Sequence, residues 1–152
     1  DDDDNDDDND DGWSLIDWPL GGKRAVTAWK VLRRVPSLNA QDGTLTTVRV
    51  RLHTGRYHQI RRHFAWYHGK PLVGDALYHS GMRGGSAHHF RKKGLFLCSD
   101  GIVLEHPSTG TMVEVTKPLP KRFHKLVNAE KAWAQHHHQQ QQQHQGRGSS
   151  SP

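Results

Sequence analysis

The sequence predicts an α+β domain, of mixed α/β type, in which a mostly antiparallel sheet is flanked by two helices. Two β-rich segments, 25–35 and 44–52, are separated by a turn cluster and predict a long hairpin. Two later segments, 57–68 and 121–134, carry apolar residues at helical spacing. Short strands fall between the helices, so strands and helices are mixed along the chain.

The first part of the chain predicts three strands in succession. Residues 13–20 form a short edge segment that a proline and a pair of glycines end. Residues 25–35 are rich in β-branched and aromatic side chains, and residues 44–52 alternate between apolar and polar types. This alternation is typical of a half-buried antiparallel strand, paired with the previous strand across the turn at 39–43.

After the third strand the apolar spacing changes to that of a helix. Thr54 is expected to cap the helix N-terminus. Ile60, Phe64 and Tyr67 follow at i, i+4 and i+7 and predict an inward apolar stripe. A glycine and a proline near residue 70 end the helix.

The rest of the chain predicts a basic loop, three short strands, a turn and a last helix with Phe123, Leu126, Val127 and Ala134 inward. The basic loop is predicted at 80–94 and the three strands at 94–97, 102–104 and 112–115. The turn is predicted at 106–110 and the helix at 121–134.

Charge separates the two ends of the chain from the middle. Residues 1–11 hold nine aspartates, and the 152 residues together carry a formal charge of +5, from 21 Lys and Arg against 16 Asp and Glu. Without those nine, 21 − 7 leaves about +14 on residues 12–152, which favours a polyanionic partner. We expect a disordered acidic tract at 1–12, a folded region at 13–134 and a disordered His/Gln/Ser-rich tail at 135–152. The acidic tract either competes for the basic surface or only adds solubility.

Several features of the sequence bear on the whole protein. The sequence begins at Asp1 without a methionine, so we expect a fragment, a processed product or an incomplete gene model. Cys98 is the only cysteine, so no internal disulfide is possible. The sequence has no run of about 18 apolar residues, so we expect no membrane partner. We expect a monomer inside the cell, in the cytoplasm or an organelle.

Residues 52–63 (L-H-T-G-R-Y-H-Q-I-R-R-H) are the most informative segment. They place Arg56 and Arg61 at a strand-to-helix junction, where a helix N-terminus favours an anion. A held guanidinium offers five donors to a carboxylate or phosphate. The pattern predicts a positive pocket, although two arginines on a helix can also be merely solvated.

This segment closely resembles the motif T-G-R-x-H-Q-[IL]-R-x-H of the RluA-type pseudouridine synthases. The resemblance covers about residues 14–133 and includes I-D-W-P-L, V-T-A-W-K-V-L, G-K-P-L-V-G-D-A-L-Y and L-E-H-P-S-T-G. One departure is L-F-L-C at 95–98, where the family often has L-x-L-H-A. The resemblance implies the C-terminal part of a pseudouridine synthase catalytic domain.

The resemblance also implies the chemistry. In the family an aspartate attacks a flipped uridine, and the base is detached, rotated and rejoined through carbon, without metal or organic cofactor. Arg61 would pair with that aspartate, Arg56 would shape the pocket or hold backbone, and Leu97 would wall the base. Further RNA-binding candidates in the motif are Tyr57, His58, Gln59 and Arg62. For Tyr57, His58, Gln59 and His63, structural hydrogen bonding or packing is the favoured role, and RNA contact is the alternative.

The family's catalytic aspartate stands in an upstream R-L-D segment, and these 152 residues contain no R-L-D. Asp17 aligns with a different segment, and Asp75 is expected in a turn. We therefore expect the chain alone to be inactive. His53, His58, His63 and His68 recur every five residues, which does not place them on one helix face, so no metal site is predicted.

The basic loop at 83–93 adds cations and an aromatic residue. Arg91, Lys92 and Lys93 are expected to hold RNA backbone, with Phe90 stacking on a base; a solvated surface loop is the alternative. The resemblance thus implies a pseudouridine synthase acting on structured RNA, either tRNA or rRNA, and the basic loop is consistent with such a partner. A non-catalytic RNA-binding remnant of the same fold, or an interaction protein that uses its acidic and Gln-rich tails, are the alternatives.

Overall fold

The computed structural model describes residues 12–40, 42–78, 90 and 92–147, with side chains described as far as residue 142. Its elements, in chain order, are β1 (Ser14–Asp17), β2 (Val26–Pro36), β3 (Thr44–Leu52), α1 (Gln59–Arg62), a π-helix (His63–Tyr67), β4 (Gly101–Glu105), β5 (Met112–Thr116) and α2 (Lys121–Arg147). One sheet has the strand order β1-β2-β3, and the other is the pair β4-β5. The predicted α+β class is confirmed.

The chain divides into two compact units. The first unit contains the residues up to Arg34 together with Thr46–Pro71, and the second contains Val35–Leu45 together with the residues from Leu72 onward. No helix in the described part of the chain is both long and apolar enough to cross a membrane.

In the first unit, the sheet packs one face against the short helix. β1 pairs antiparallel with β2, from Ser14 opposite Trp29 to Asp17 opposite Val26. Ile16 of β1 is fully buried, and Thr27 of β2 is fully buried too. The turn between the two strands closes where Leu20 donates its N–H to the carbonyl of Lys23 at 2.9 Å.

The helix after β3 changes from α to π geometry at His63. The N–H of His68 donates to the carbonyl of His63, five residues earlier, at 3.3 Å. A π turn holds one residue more than an α turn, so the residues beyond it are rotated from the expected face. Phe64 is buried as predicted, but Tyr67 is 53% exposed. The predicted inward position of Tyr67 is therefore wrong.

The second unit has its own apolar core. Val35, Leu45, Phe90 and Leu126 are buried together, with Val73, Phe96 and Val127 packed against them. Glu130, one helical turn beyond Leu126, is also buried, and its Oε2 accepts hydrogen bonds from Ser37 Oγ at 2.7 Å and Asn39 Nδ2 at 2.9 Å. These two bonds fasten the β2–β3 turn to α2.

The predicted strands at 102–104 and 112–115 are confirmed as β4 and β5, paired antiparallel from Gly101 opposite Thr116 to Glu105 opposite Met112. The strand predicted at 94–97 is wrong, because residues 94–100 have irregular backbone. Here Phe96 donates its N–H to the carbonyl of Val73 at 2.8 Å. This one backbone hydrogen bond to a loop residue is not the repeated pairing with a neighbouring strand that defines a β-strand.

The last helix begins at Lys121 as predicted but extends to Arg147, so its predicted end at Ala134 is wrong. The tail expected to be disordered from residue 135 is thus helical as far as 147; residues 148–152 lie outside the described residues. Glutamine and alanine are good helix formers, and neither Gly nor Pro interrupts the segment before Gly146.

Gly74 provides a test of backbone fit in the second unit. Its φ of +74° lies in the left-handed region, and an added Cβ would overlap the carbonyl oxygen of Gly94. We expect Gly74→Ala to lower the free energy of unfolding by about 3 kcal/mol, from steric overlap added to backbone strain. Gly43→Ala is the matched control, because Gly43 has φ +72° but open space around its Cβ position. The control should cost only about 1 kcal/mol in the same urea titration, and equal losses would contradict the overlap.

Candidate functional site

The loop between β3 and α1 is held to β2 by the side chain of Thr54. Its Oγ1 accepts a hydrogen bond from the Val26 N–H at 2.9 Å and donates to Gln59 Oε1 at 2.8 Å. The residue before α1 is His58, which makes no side-chain cap. Thr54 is therefore not the N-cap that the sequence predicted; it joins the loop to the sheet instead.

Gln59 is the centre of this attachment. Its side chain is 3% exposed. Oε1 also accepts from the Arg56 N–H at 3.0 Å, while Nε2 donates to the Val26 carbonyl at 3.0 Å and to Thr27 Oγ1 at 2.9 Å. The amide thus uses two acceptor and two donor positions inside the protein. These bonds make Gln59 a structural brace between the loop and β2.

His63 continues the same chain of hydrogen bonds. It is fully buried, with Nε2 3.0 Å from the Trp18 carbonyl and Nδ1 2.9 Å from Thr27 Oγ1. The carbonyl only accepts, so Nε2 carries the proton. Burial lowers the pKa of His63, with a smaller lowering from the Arg62 charge, against the opposing hydrogen bond to Trp18 and the charge of Asp17. The neutral ring then accepts from the Thr27 hydroxyl at Nδ1.

The exposed side of the motif carries a different set of residues. Tyr57 is 75% exposed and stacks on His58, with ring centroids 3.8 Å apart. His58 adopts a left-handed backbone conformation, with φ 50° and ψ 33°. Its Nε2 lies 3.3 Å from Nη1 of Arg61. Because a guanidinium only donates, His58 Nε2 is the acceptor.

The remaining two arginines of the motif are also oriented by the protein. Arg56 donates from Nε to the carbonyl of Arg24 at 3.0 Å, so its side chain is held against the protein's own backbone. Arg62 donates from Nη1 to the Tyr57 carbonyl at 3.3 Å, and its guanidinium carbon lies 4.8 Å from the centre of the Trp66 ring. The structure thus brings Arg56, Tyr57, His58, Arg61 and Arg62 together around one turn of backbone.

The other predicted site residues belong to the second unit. Leu97 is half-buried in the irregular segment before β4, and Lys92 and Lys93 are exposed. Lys93 Nζ lies 5.8 Å from the ring of Phe90, which is buried in the core rather than exposed for base stacking. Arg91 and most of the basic loop lie outside the described residues.

Asp75 has the structural role that was expected of it. It is 1% exposed, and its Oδ1 accepts hydrogen bonds from the Leu77 N–H at 3.0 Å and the Tyr78 N–H at 3.2 Å. A carboxylate that caps two backbone N–H groups two and three residues later shapes a turn. Asp17 is paired with Arg24 at 3.0 Å on the surface.

Sequence reasoning missed two residues that order the site. Thr27 accepts from Gln59 and donates to His63, and the Trp18 carbonyl receives the ring proton of His63. A hydroxyl at a buried position of an apolar strand was the available signal for Thr27. The Trp18 contact is made by backbone 45 residues away, so no side-chain pattern predicts it.

Comparison with known proteins agrees with this geometry. The family model for RNA pseudouridylate synthase matches residues 9–66, which contain the sheet and the motif of the first unit. An uncharacterized RNA pseudouridine synthase of Synechocystis is 37% identical over 107 residues, covering 70% of this chain and 29% of that protein. The ribosomal large subunit pseudouridine synthase D of Haemophilus ducreyi is 36% identical over 117 residues, covering 72% of this chain and 34% of that protein.

A plant protein named RNA pseudouridine synthase 5, from Oryza sativa, is 34% identical over 121 residues, covering 65% of this chain and 29% of that protein. The chain therefore belongs to the RNA pseudouridine synthase family. Within that family it is of the RluA-like type. It spans about a third of the length of these relatives.

Histidine burial gives the first unit an acid-sensitive stability. Burial lowers the pKa of His68 as well as that of His63. Below the ordinary histidine pKa of about 6.5, the unfolded chain binds protons that the folded chain does not. The free energy of unfolding should therefore fall as pH falls from 7.5 to 5.5, by at most about 1.4 kcal/mol per pH unit for each histidine.

Urea unfolding at a series of pH values measures this dependence. His63→Gln should reduce the slope of stability against pH below 6.5, because it removes a group whose folded and unfolded pKa values differ. His124→Gln changes an exposed histidine of α2 and should leave the slope as it is. A slope that is unchanged in His63→Gln would contradict the buried neutral ring.

Proposed function

We propose that this chain supplies the arginine-bearing part of the active site of an RNA pseudouridine synthase, which isomerises uridine to pseudouridine in structured RNA. The observation that carries the proposal is the placement of Arg61. Its guanidinium is half-buried and bonded through Nη1 to His58 Nε2 at 3.3 Å, within a turn that Thr54 and Gln59 fasten to the sheet. A fixed guanidinium of this kind is suited to pairing with a carboxylate.

In this proposal Arg61 orients and stabilises the ionised aspartate that attacks the uridine. The 152 residues contain no R-L-D, so the nucleophile would come from a segment outside them. The glycosidic bond from C1′ of the ribose to N1 of uracil breaks, and a bond from C1′ to C5 forms. The C5 hydrogen leaves as a proton and N1 takes up a proton, so the product is an isomer of uridine. The balance of the reaction requires neither oxidant nor reductant, so the protein's contribution is to hold, orient and stabilise charge.

Tyr57, Arg62 and Trp66 are proposed to contact the RNA around the target uridine. Tyr57 is 75% exposed and Trp66 is 52% exposed, and both lie beside cationic side chains. Exposed aromatic rings beside arginines are typical of surfaces that stack on unpaired bases. In the second unit, Leu97 is proposed to make an apolar contact with a base, and Lys92 and Lys93 are proposed to contact RNA backbone.

Large-subunit ribosomal RNA is the first substrate to test. The Haemophilus relatives of the chain are named as ribosomal large subunit pseudouridine synthases. Transfer RNA is the second, and a non-catalytic RNA-binding role is the outcome to exclude.

A chimaera tests the proposal without requiring the chain to act alone. Residues 12–134 replace the matched segment of the Haemophilus ducreyi relative, which supplies the rest of the protein. Activity is measured as tritium released from C5-labelled uridine in an rRNA transcript. We expect release, and we expect Arg61→Ala to lower kcat by about 100-fold, in the range seen when one charge-stabilising donor is removed, with little change in RNA affinity.

Arg61→Lys separates orientation from charge, because it keeps the cation and loses the planar fork. We expect this variant to recover only part of the activity. Lys131→Ala, on the exposed side of α2, is the control and should be active. Full activity in Arg61→Ala would reject the proposed role, and an inactive chimaera that still binds RNA would support the non-catalytic alternative.

A further inference from the structure

A second cationic site lies in the first unit at the start of the sheet. Lys30 Nζ is 4.9 Å and the Arg51 guanidinium carbon is 4.3 Å from the centre of the Trp13 ring. Trp13 precedes β1, Lys30 is in β2 and Arg51 is in β3. Two cations from two strands therefore meet at one aromatic ring, which we name the Trp13 site.

The Trp13 site faces away from the arginine cluster of the motif. Thr27 of β2 bonds to Gln59 and His63, and Trp29 packs against Phe64 at 5.9 Å, so these two side chains face the helix. Successive side chains of a strand point to opposite faces, which places Lys30 on the other face. RNA held at this site would be held by contacts that Arg61 does not make.

Among the residues that the structure describes, no carboxylate is seen to form an ion pair with either cation of the Trp13 site. An aromatic face orients a cation and contributes about 0.5–1 kcal/mol at an exposed site without removing its charge. Lys30 and Arg51 are therefore held in place with their charge available. Because residues 12–152 carry about +14 (21 − 7), an anionic partner is the complement of this surface.

We propose that Trp13, Lys30 and Arg51 form a surface that binds the phosphodiester backbone of RNA outside the target uridine. The proposal rests on the proposed function for the identity of the polyanion. Cations that are oriented by an aromatic ring are suited to binding phosphates. Phosphates are the same at every nucleotide, so this surface would add affinity and fix the position of the RNA without selecting its sequence.

The 152-residue chain is titrated with a fluorescently labelled RNA stem-loop with uridines in its loop, at several KCl concentrations. The double variant Lys30→Gln with Arg51→Gln should weaken binding about tenfold near 0.1 M salt and lower the salt slope by between about 1 and 2. Trp13→Leu keeps both charges and loses their orientation. It should weaken binding about threefold with the salt slope unchanged.

A matched control removes two charges elsewhere. Lys125→Gln with Lys131→Gln alters exposed lysines of α2 and should weaken binding less than twofold. Circular dichroism confirms that each variant is folded. Equal losses in the two double variants would show that only net charge matters and would overturn the Trp13 site, as would unchanged binding in the Lys30 and Arg51 variant.

Two further outcomes separate the occupants. A synthetic peptide of residues 1–11 is titrated against the unaltered chain and against the Lys30 and Arg51 variant. If the variant loses peptide binding but keeps RNA binding, an acidic peptide is the occupant and the proposal is overturned. If the chimaera is inactive but the RNA titration behaves as expected, the enzymatic proposal fails and the Trp13 site stands. Absence of RNA binding by the unaltered chain would overturn RNA as the partner.

Discussion

The hydrogen-bond chain from Gln59 through Thr27 to His63 is the constraint on which the motif region depends. It joins the loop after β3, the second strand and the π-helix at one buried place, and each of its polar atoms is 2.8–3.0 Å from its partner. Burying such groups is favourable only when all are paired, because one unpaired buried donor or acceptor costs about 1–3 kcal/mol. The chain is paired throughout only when Gln59 accepts from Thr54 and His63 is neutral. Its geometry is therefore specified as a unit rather than residue by residue.

This arrangement divides the motif T-G-R-x-H-Q-I-R-x-H into two sets of residues. Thr54, Gln59 and His63 face the sheet and use their polar atoms inside the protein. Tyr57 and Arg61 face outward, next to His58. The first set fixes the backbone, and the second set is what the proposed RNA substrate would contact. In a sequence, every residue of such a motif looks like a candidate for the active site. In the structure, half or so of the motif instead holds the backbone in place.

The sequence predicted those elements that depend on local pattern, and it failed where distant residues decide. Alternation and turn residues located β2 and β3, and the proline before α2 located its start. His63, where the helix changes from α to π geometry, bonds to Thr27 of β2 and to the carbonyl of Trp18, and no window of the helix sequence contains these partners. The role of Thr54 depends on the N–H of Val26, 28 residues away. The residue pattern predicted the position of Arg61 at the strand-to-helix junction, whereas nothing in the pattern predicted its bond to His58.

The backbone of His58 shows how the outward-facing residues of the motif depend on the buried ones. Its φ of 50° is positive, and it is the only residue other than glycine with a positive φ in the described part of the chain. A non-glycine residue in the left-handed region costs about 1–2 kcal/mol. Glycine would avoid this cost but would offer neither the ring that stacks on Tyr57 nor the Nε2 atom that accepts from Arg61. The strain is sustained because Gln59, the next residue, is fixed by four hydrogen bonds. The buried network thus holds a strained backbone at the residue that bonds to Arg61, so this strain would serve the function proposed for that arginine rather than stability.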